Sequence, residues 1–339
     1  PTWSTDANFT DGGTQILPAN YLAYTQNETF TNRILINASV DYKFTSELSG
    51  KVNLGYDKSE GENTSVISGD VENFTGIEGQ GFGVYNILNR ENNLLEATLN
   101  YAKDFGDSKF DVLVGYSFQD FQTSGRNSAA RTFNTTDLNQ MGSDLRETVN
   151  SAASLIDGSF QQYFYGSNTN GLIVNRLQPN VVTGENVGEG FTQLVAAMTA
   201  DTFNSTDELQ SFFARLNYTI SDKYLFTGTI RADGSSRFGP ANQYGYFPSG
   251  AFAWKMSEED FVGDAFSTLK LRLSAGEVGN QDGLGYGNFV ARQRFSGLGI
   301  QNDNAVNQNG TAIVATDVPD LKWETTFNLN VGIDFGLNN

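Results

Sequence analysis

The feature that most constrains this chain is an apolar/polar alternation of period two that recurs in segment after segment. In residues 33–44, Ile34, Ile36, Ala38, Val40, Tyr42 and Phe44 fall on one side, while Arg33, Leu35, Asn37, Ser39, Asp41 and Lys43 fall on the other. Successive strand side chains point to opposite faces, so this pattern describes a strand with one greasy face and one wet face. The same layout returns over 50–57, 95–101 and 110–118. After a long gap it resumes over 212–220, 224–231, 252–255, 269–274 and 327–335. Most of these stretches approach the length with which a tilted strand crosses a bilayer.

The connections alternate too. Residues 45–48, 104–108 and 221–222 form tight turns and 257–267 a modest one, whereas 58–93, 122–209, 234–246 and 277–322 read as long polar loops. Short turns at one rim and long loops at the other is the arrangement of bacterial outer-membrane barrels, with the long loops outside the cell. A soluble β-sandwich would have connections of only a few residues. No run of about 18 apolar residues suggests a membrane-crossing helix, a test that strands escape. Tyr42, Phe44, Tyr101, Phe105, Tyr218, Tyr224 and Phe226 gather near the tight turns, where aromatics suit a membrane interface. Ordinary sheet packing also places aromatics there.

Composition removes most enzymes. The chain has no His and no Cys, so it lacks a Ser-His-Asp triad, a thiolate nucleophile and the usual zinc ligands. Thirty-nine acidic against 21 basic side chains, a net charge of −18, repel nucleic acid. Asp233-Gly234-Ser235-Ser236 lacks a neighbouring base and reads as a hairpin loop. Asp201, Asp207 and Glu208 offer oxygen atoms to Ca²⁺ without the dense spacing of an EF-hand loop, and no other cofactor is expected.

These segments make about nine strands, an odd number that leaves open edges hydrocarbon does not tolerate, and residues 336–339 read as a turn into a further strand. The expected fold is therefore all-β: part of a transmembrane antiparallel barrel, with residues 1–339 forming a partial barrel domain.

Particular motifs carry a family resemblance. Arg231-Ala232-Asp233-Gly234-Ser235-Ser236-Arg237-Phe238-Gly239 is followed by Gly245-Tyr246-Phe247-Pro248-Ser249 and Ala253-Trp254-Lys255. With Leu269-Lys270-Leu271-Arg272, Gly279-Asn280-Gln281, Leu321-Lys322-Trp323-Glu324-Thr325-Thr326 and Gly332-Ile333-Asp334-Phe335-Gly336, this resembles SusC/RagA-type TonB-dependent transporters. Ser274-Ala275-Gly276-Glu277-Val278 departs from the family pattern. The resemblance implies a 22-stranded outer-membrane barrel of Bacteroidetes. It also implies a plug and a TonB-contacting segment outside these residues, a SusD-like surface lipoprotein as lid, and a glycan or peptide cargo. A passive porin, a barrel in a larger outer-membrane assembly, and a soluble carbohydrate-binding β-protein are the alternatives.

In such a barrel Arg33, Lys51, Arg215, Arg231, Lys255, Lys270 and Arg272 would line the wet lumen, facing plug carboxylates or cargo. The plainer reading is that they are solvated or pair with Asp41, Asp111 and Asp334. Tyr163-Phe164-Tyr165 in the 122–209 loop suits sugar stacking or a lid contact, or else a small core that holds the loop together. The apolar stretch 191–200 is expected to form a brief helix.

Overall fold

The computed structural model describes residues 18–156, 160–167, 171–176, 184–186, 190–262, 266–285, 287–300 and 307–337. Helix α1 (Pro18–Ala23) leads into β1 (Thr25–Lys43), β2 (Leu48–Ile67), β3 (Phe82–Asp104) and β4 (Ser108–Phe133). Helix α2 (Leu138–Ala153) and the short strands β5 (Gln161–Tyr165), β6 (Ile173–Arg176) and β7 (Gly184–Asn186) follow. Then come β8 (Val195–Ile220), β9 (Tyr224–Ser235), β10 (Tyr244–Lys255), a 3₁₀ turn (Met256–Glu258) and β11 (Phe266–Asn280). A separate hairpin, β12 (Arg292–Ile300) with β13 (Asn307–Ala315), precedes β14 (Glu324–Leu337).

The main sheet runs β1-β2-β3-β4-β8-β9-β10-β11-β14, so each alternating segment lies in one strand of an antiparallel meander. Its register puts all the apolar stripes on one face. Val52 lies opposite Val40 and Ala97, Ala97 opposite Tyr116, and Tyr116 opposite Phe212. Farther along, Phe226, Phe252, Leu273 and Val331 form another such row. Among the described residues no second sheet covers this face: Val40 is 67 % exposed and Val331 69 %. A sandwich core would have buried them.

The expected long loops are shorter than the sequence pattern implied. Residues 58–67 continue β2 and residues 82–93 belong to β3, paired residue by residue from Lys58↔Glu91 to Ile67↔Phe82. Residues 122–133 and 195–209 likewise extend β4 and β8, and residues 234–235, 244–246 and 277–280 extend β9, β10 and β11. The physical reason lies on the apolar face itself. There Val52, Leu54 and Tyr56 give way to Lys58, Glu60 and Glu62, and Phe110 through Phe118 to Asp120, Gln122 and Ser124. Above that level the lipid-facing stripe gives way to polar side chains, so the ladder continues while the alternation disappears. The apolar band that remains matches the ~10 residues of a tilted membrane strand.

The wall is stepped. β9 pairs with β8 only as far as Leu209↔Ser235, and above that point β5 takes over the β8 edge through Tyr163↔Ala200 and Tyr165↔Met198. α2 packs across this raised part. Asp137 caps it by accepting from the Gln140 backbone N–H at 2.8 Å. Its buried stripe, Met141, Leu145, Val149 and Ala152, joins Val66, Tyr85, Ala130 and Met198 in the main core cluster. A β-carbon at Gly83 would sit 2.8 Å from Leu145 Cδ2 and 2.9 Å from Phe133 Cζ, so a larger residue there would push the helix-side packing apart. The helix expected over 191–200 does not form: Val195 begins β8, because β4 offers a ladder partner from Phe133 downward and pairing outweighs local preference.

At the opposite rim the turns are tight. Ser221 and Asp222 take φ of +50° and +53°, the left-handed pair of a hairpin turn closed by the Lys223 N–H donating to the Ile220 carbonyl at 3.0 Å.

Candidate functional site

All seven basic residues singled out in the sequence lie on the polar face of the sheet by register. Four are matched by carboxylates. Arg33 grips Asp57 with two charge-assisted hydrogen bonds, Nε to Oδ1 at 2.8 Å and Nη2 to Oδ2 at 2.7 Å. Arg272 holds Asp334 the same way, at 2.7 and 2.8 Å. Lys51 faces Asp41 more loosely at 3.7 Å. Arg231 donates from Nε to both Asp233 oxygens, at 2.6 and 2.8 Å, and from Nη2 to Ser211 Oγ at 2.8 Å. Its guanidinium lies over the Phe213 ring, 5.5 Å from the centroid.

The other three stand apart. Arg215 lies between Leu113 and Thr229, while Lys255 sits directly opposite Lys270, which in turn faces Asp334. None of the three forms an ion pair within 4.0 Å of a described carboxylate. Of the expected partners, Asp41 and Asp334 bind cations, and Asp111 accepts from Asn217 Nδ2 at 3.1 Å. Sequence reasoning missed Asp57 and Asp233 as partners. Asp233 lies two residues from Arg231 on the same face, a spacing that sequence alone could have flagged.

The Tyr163-Phe164-Tyr165 trio alternates about its strand. Tyr163 and Tyr165 are buried at 1 % and 4 % exposure in the α2 core, so their rings face inward, and only Phe164 turns to the opposite, partly open face. Burial pushes the Tyr163 hydroxyl up to about 12, with Arg126 acting against it. Asp201 and Asp207 lie on the polar face and Glu208 on the other, and among the described residues no three acidic side chains converge as metal ligands.

Near the tight turns, ring contacts gather on the apolar face: Tyr42 with Phe44 at 4.9 Å, Phe110 with Tyr218 at 6.4 Å, and Tyr224 with Trp254 at 6.1 Å. A carboxylate in the β10–β11 turn ties this girdle together. Glu259 accepts from the Tyr224 hydroxyl at 2.6 Å, Lys223 Nζ at 3.0 Å and Trp254 Nε1 at 3.1 Å. These donors, Tyr224 foremost, hold its carboxyl down at about 2.

An antiparallel meander with one lipid-compatible face and one charged, polar face defines the wall of an outer-membrane β-barrel. The model of the TonB dependent receptor-like β-barrel matches residues 1–339. The chain is 31% identical over 304 residues to TonB-dependent receptor P3 of Formosa agariphila, covering 87% of this chain and 24% of that protein. It is 40% identical over 144 residues to TonB-dependent receptor SusC of Bacteroides thetaiotaomicron, covering 40% of this chain and 14% of that protein. Among solved structures, the RagAB peptide importer in its closed-closed state superposes with a TM-score of 0.69 at 17% identity, covering 95% of this chain and 30% of that one. The chain belongs to the TonB-dependent receptor β-barrel family and is an outer-membrane protein. It spans about a quarter of the length of the P3 receptor.

Proposed function

We propose that this chain is a stretch of the wall of a TonB-dependent importer of large nutrients, glycan or peptide, working beneath a SusD-like surface lipoprotein. The raised parts of β1–β8 and the α2 module stand outside the cell, the tight turns face the periplasm, and TonB engages a segment beyond these residues. The observation that carries this reading is the sidedness of the sheet. Val331 and its row present bare hydrocarbon on one face, while the Arg272–Asp334 pair occupies the other.

In this reading Arg33, Lys51, Arg231 and Arg272 line the lumen as neutralised pairs that set wall geometry. Arg215, Lys255 and Lys270 keep positive charge available to plug carboxylates or to passing cargo. The chemistry is transport, for which a wall lacking His and Cys is sufficient.

The test is uptake in cells carrying the whole receptor, supplied with oligosaccharides or peptides as the sole carbon source. Uptake should vanish when TonB is deleted or the lipoprotein partner is removed. Uptake that persists without TonB would be the mark of a passive porin and would overturn the reading.

A further inference from the structure

On the polar face of the raised wall, the neighbouring strands β3, β4, β8 and β5 line an open recess of about 600 Å³, a size typical of small-molecule sites. Its lining is small and apolar at Val84 and Ala129 and also includes Asn127, Gln162, Asp201 and Phe164. Asp201 is already oriented. Its Oδ1 accepts from the Asn127 backbone N–H at 3.2 Å and from Asn127 Nδ2 at 3.0 Å, which leaves Oδ2 for a ligand.

Three features select the ligand chemistry. None of the described lining residues is Lys or Arg, so a sulfated, phosphorylated or uronate-bearing ligand would meet an uncompensated carboxylate. The strands beneath are laddered on both sides, β4 between β3 and β8, and β5 between β8 and β6, so no free edge invites an added peptide strand. What remains is side-chain chemistry: planar amides and a carboxylate that exchange hydrogen bonds with hydroxyls, beside one aromatic ring.

We propose that this recess binds a neutral oligosaccharide, with Phe164 stacking on the apolar face of one sugar ring while Asp201, Asn127 and Gln162 hydrogen-bond its hydroxyls. The proposal rests on the importer reading and names the cargo class for it. Tyr163 and Tyr165 hold the strand that presents Phe164 and do not touch the sugar through their rings.

The experiment is calorimetric titration of the full-length receptor in detergent with maltohexaose, cellohexaose, laminarihexaose and mannohexaose. An alginate hexamer and a neutral hexapeptide serve as contrasts. At least one neutral hexasaccharide should bind, Phe164→Ala should weaken it about tenfold or more, and Phe164→Trp should retain it. Asp201→Asn should weaken the same sugar, and neither alanine nor asparagine should shift the unfolding transition of the receptor. Binding of only the alginate or the peptide, binding of nothing, or a Phe164→Ala affinity within about twofold of the parent would overturn the proposal. Uptake in cells separates the two readings. TonB-independent uptake with Phe164-sensitive binding defeats the importer alone, and TonB-dependent uptake with Phe164-insensitive binding defeats the recess alone.

Discussion

The indole of Trp323 lies against the ring of Phe238, with centroids 5.0 Å apart and planes 38° from parallel. Phe247 meets the same indole edge-on at 5.5 Å, and Trp323 Nε1–H donates to the Gln243 carbonyl at 3.0 Å. The motifs around 231–239, 245–249 and 321–326 are separated in sequence but close over one ring: Phe238 is 0 % exposed. Gly279, from a fourth motif, would push a β-carbon into the Phe247 ring. The sequence signature of the family is, in this chain, largely an aromatic knot that joins β9, β10, β11 and β14 where the wall steps down.

Removing the centre of that knot should be costly. Phe238→Ala is expected to destabilise the full-length receptor by about 3–5 kcal/mol, the range for deleting a buried ring. Gly245→Ala should also destabilise it, since its β-carbon would lie 2.5 Å from Phe247 Cζ and 3.0 Å from Trp323 Cδ1. Urea unfolding in detergent measures both. A Phe238→Ala variant with an unchanged midpoint would show that the knot is peripheral to stability.

The lipid-level part of the fold was legible because lipid on one face and water on the other write themselves into residues such as Val40 and Asp41. Its upward continuation was not, since Lys58 and Glu91 pair in a ladder whose lipid-facing stripe has given way to polar side chains, and they leave no periodic mark. The seven basic positions could be placed on one face from parity alone, but their partners depended on register: Asp57 lies beside Arg33 only because β1 and β2 pair Leu35↔Asp57. Tyr163-Phe164-Tyr165 signalled an ordered loop. Which of the three rings stays open was set by α2, whose packing no local pattern announces.

The two buried tyrosines should respond differently to loss of their hydroxyls. Tyr165 Oη donates to the Val195 carbonyl at 2.8 Å, so Tyr165→Phe should loosen the α2 module by about 1 kcal/mol. The Tyr163 hydroxyl is buried without a hydrogen-bond partner among the described residues, so Tyr163→Phe should be neutral or slightly stabilising. Amide hydrogen exchange along α2 reads out both. Equal loss of protection in the two variants would contradict this assignment.

Glu259 should make the β10–β11 turn acid-sensitive. Its carboxyl is held at about 2 in the folded chain against an ordinary 4.5, so the folded state favours the ionised form. That contribution is fully present above about 4.5 and is lost as pH falls toward about 2. The unfolding midpoint in urea should therefore drop across this window, and Glu259→Gln should start lower and show a shallower drop. A mutant whose midpoint falls as steeply as the parent's would assign the acid sensitivity to another group.

Adjacent residues of β14 offer the sharpest test of sidedness. Val331 projects from the apolar face, 69 % exposed, in the row of Phe226, Phe252 and Leu273, whereas Asn330 faces the other way, opposite Ser274. An arginine at the level of Val331 enters the hydrocarbon near its middle, where such substitutions in barrels cost about 2–4 kcal/mol. An arginine at Asn330 enters the wet face, where surface changes stay within about 0.5 kcal/mol. Reversible folding of the full-length receptor into lipid vesicles should therefore separate Val331→Arg from Asn330→Arg by most of that difference. Equal penalties, or a larger one at Asn330, would reverse the assignment of the two faces.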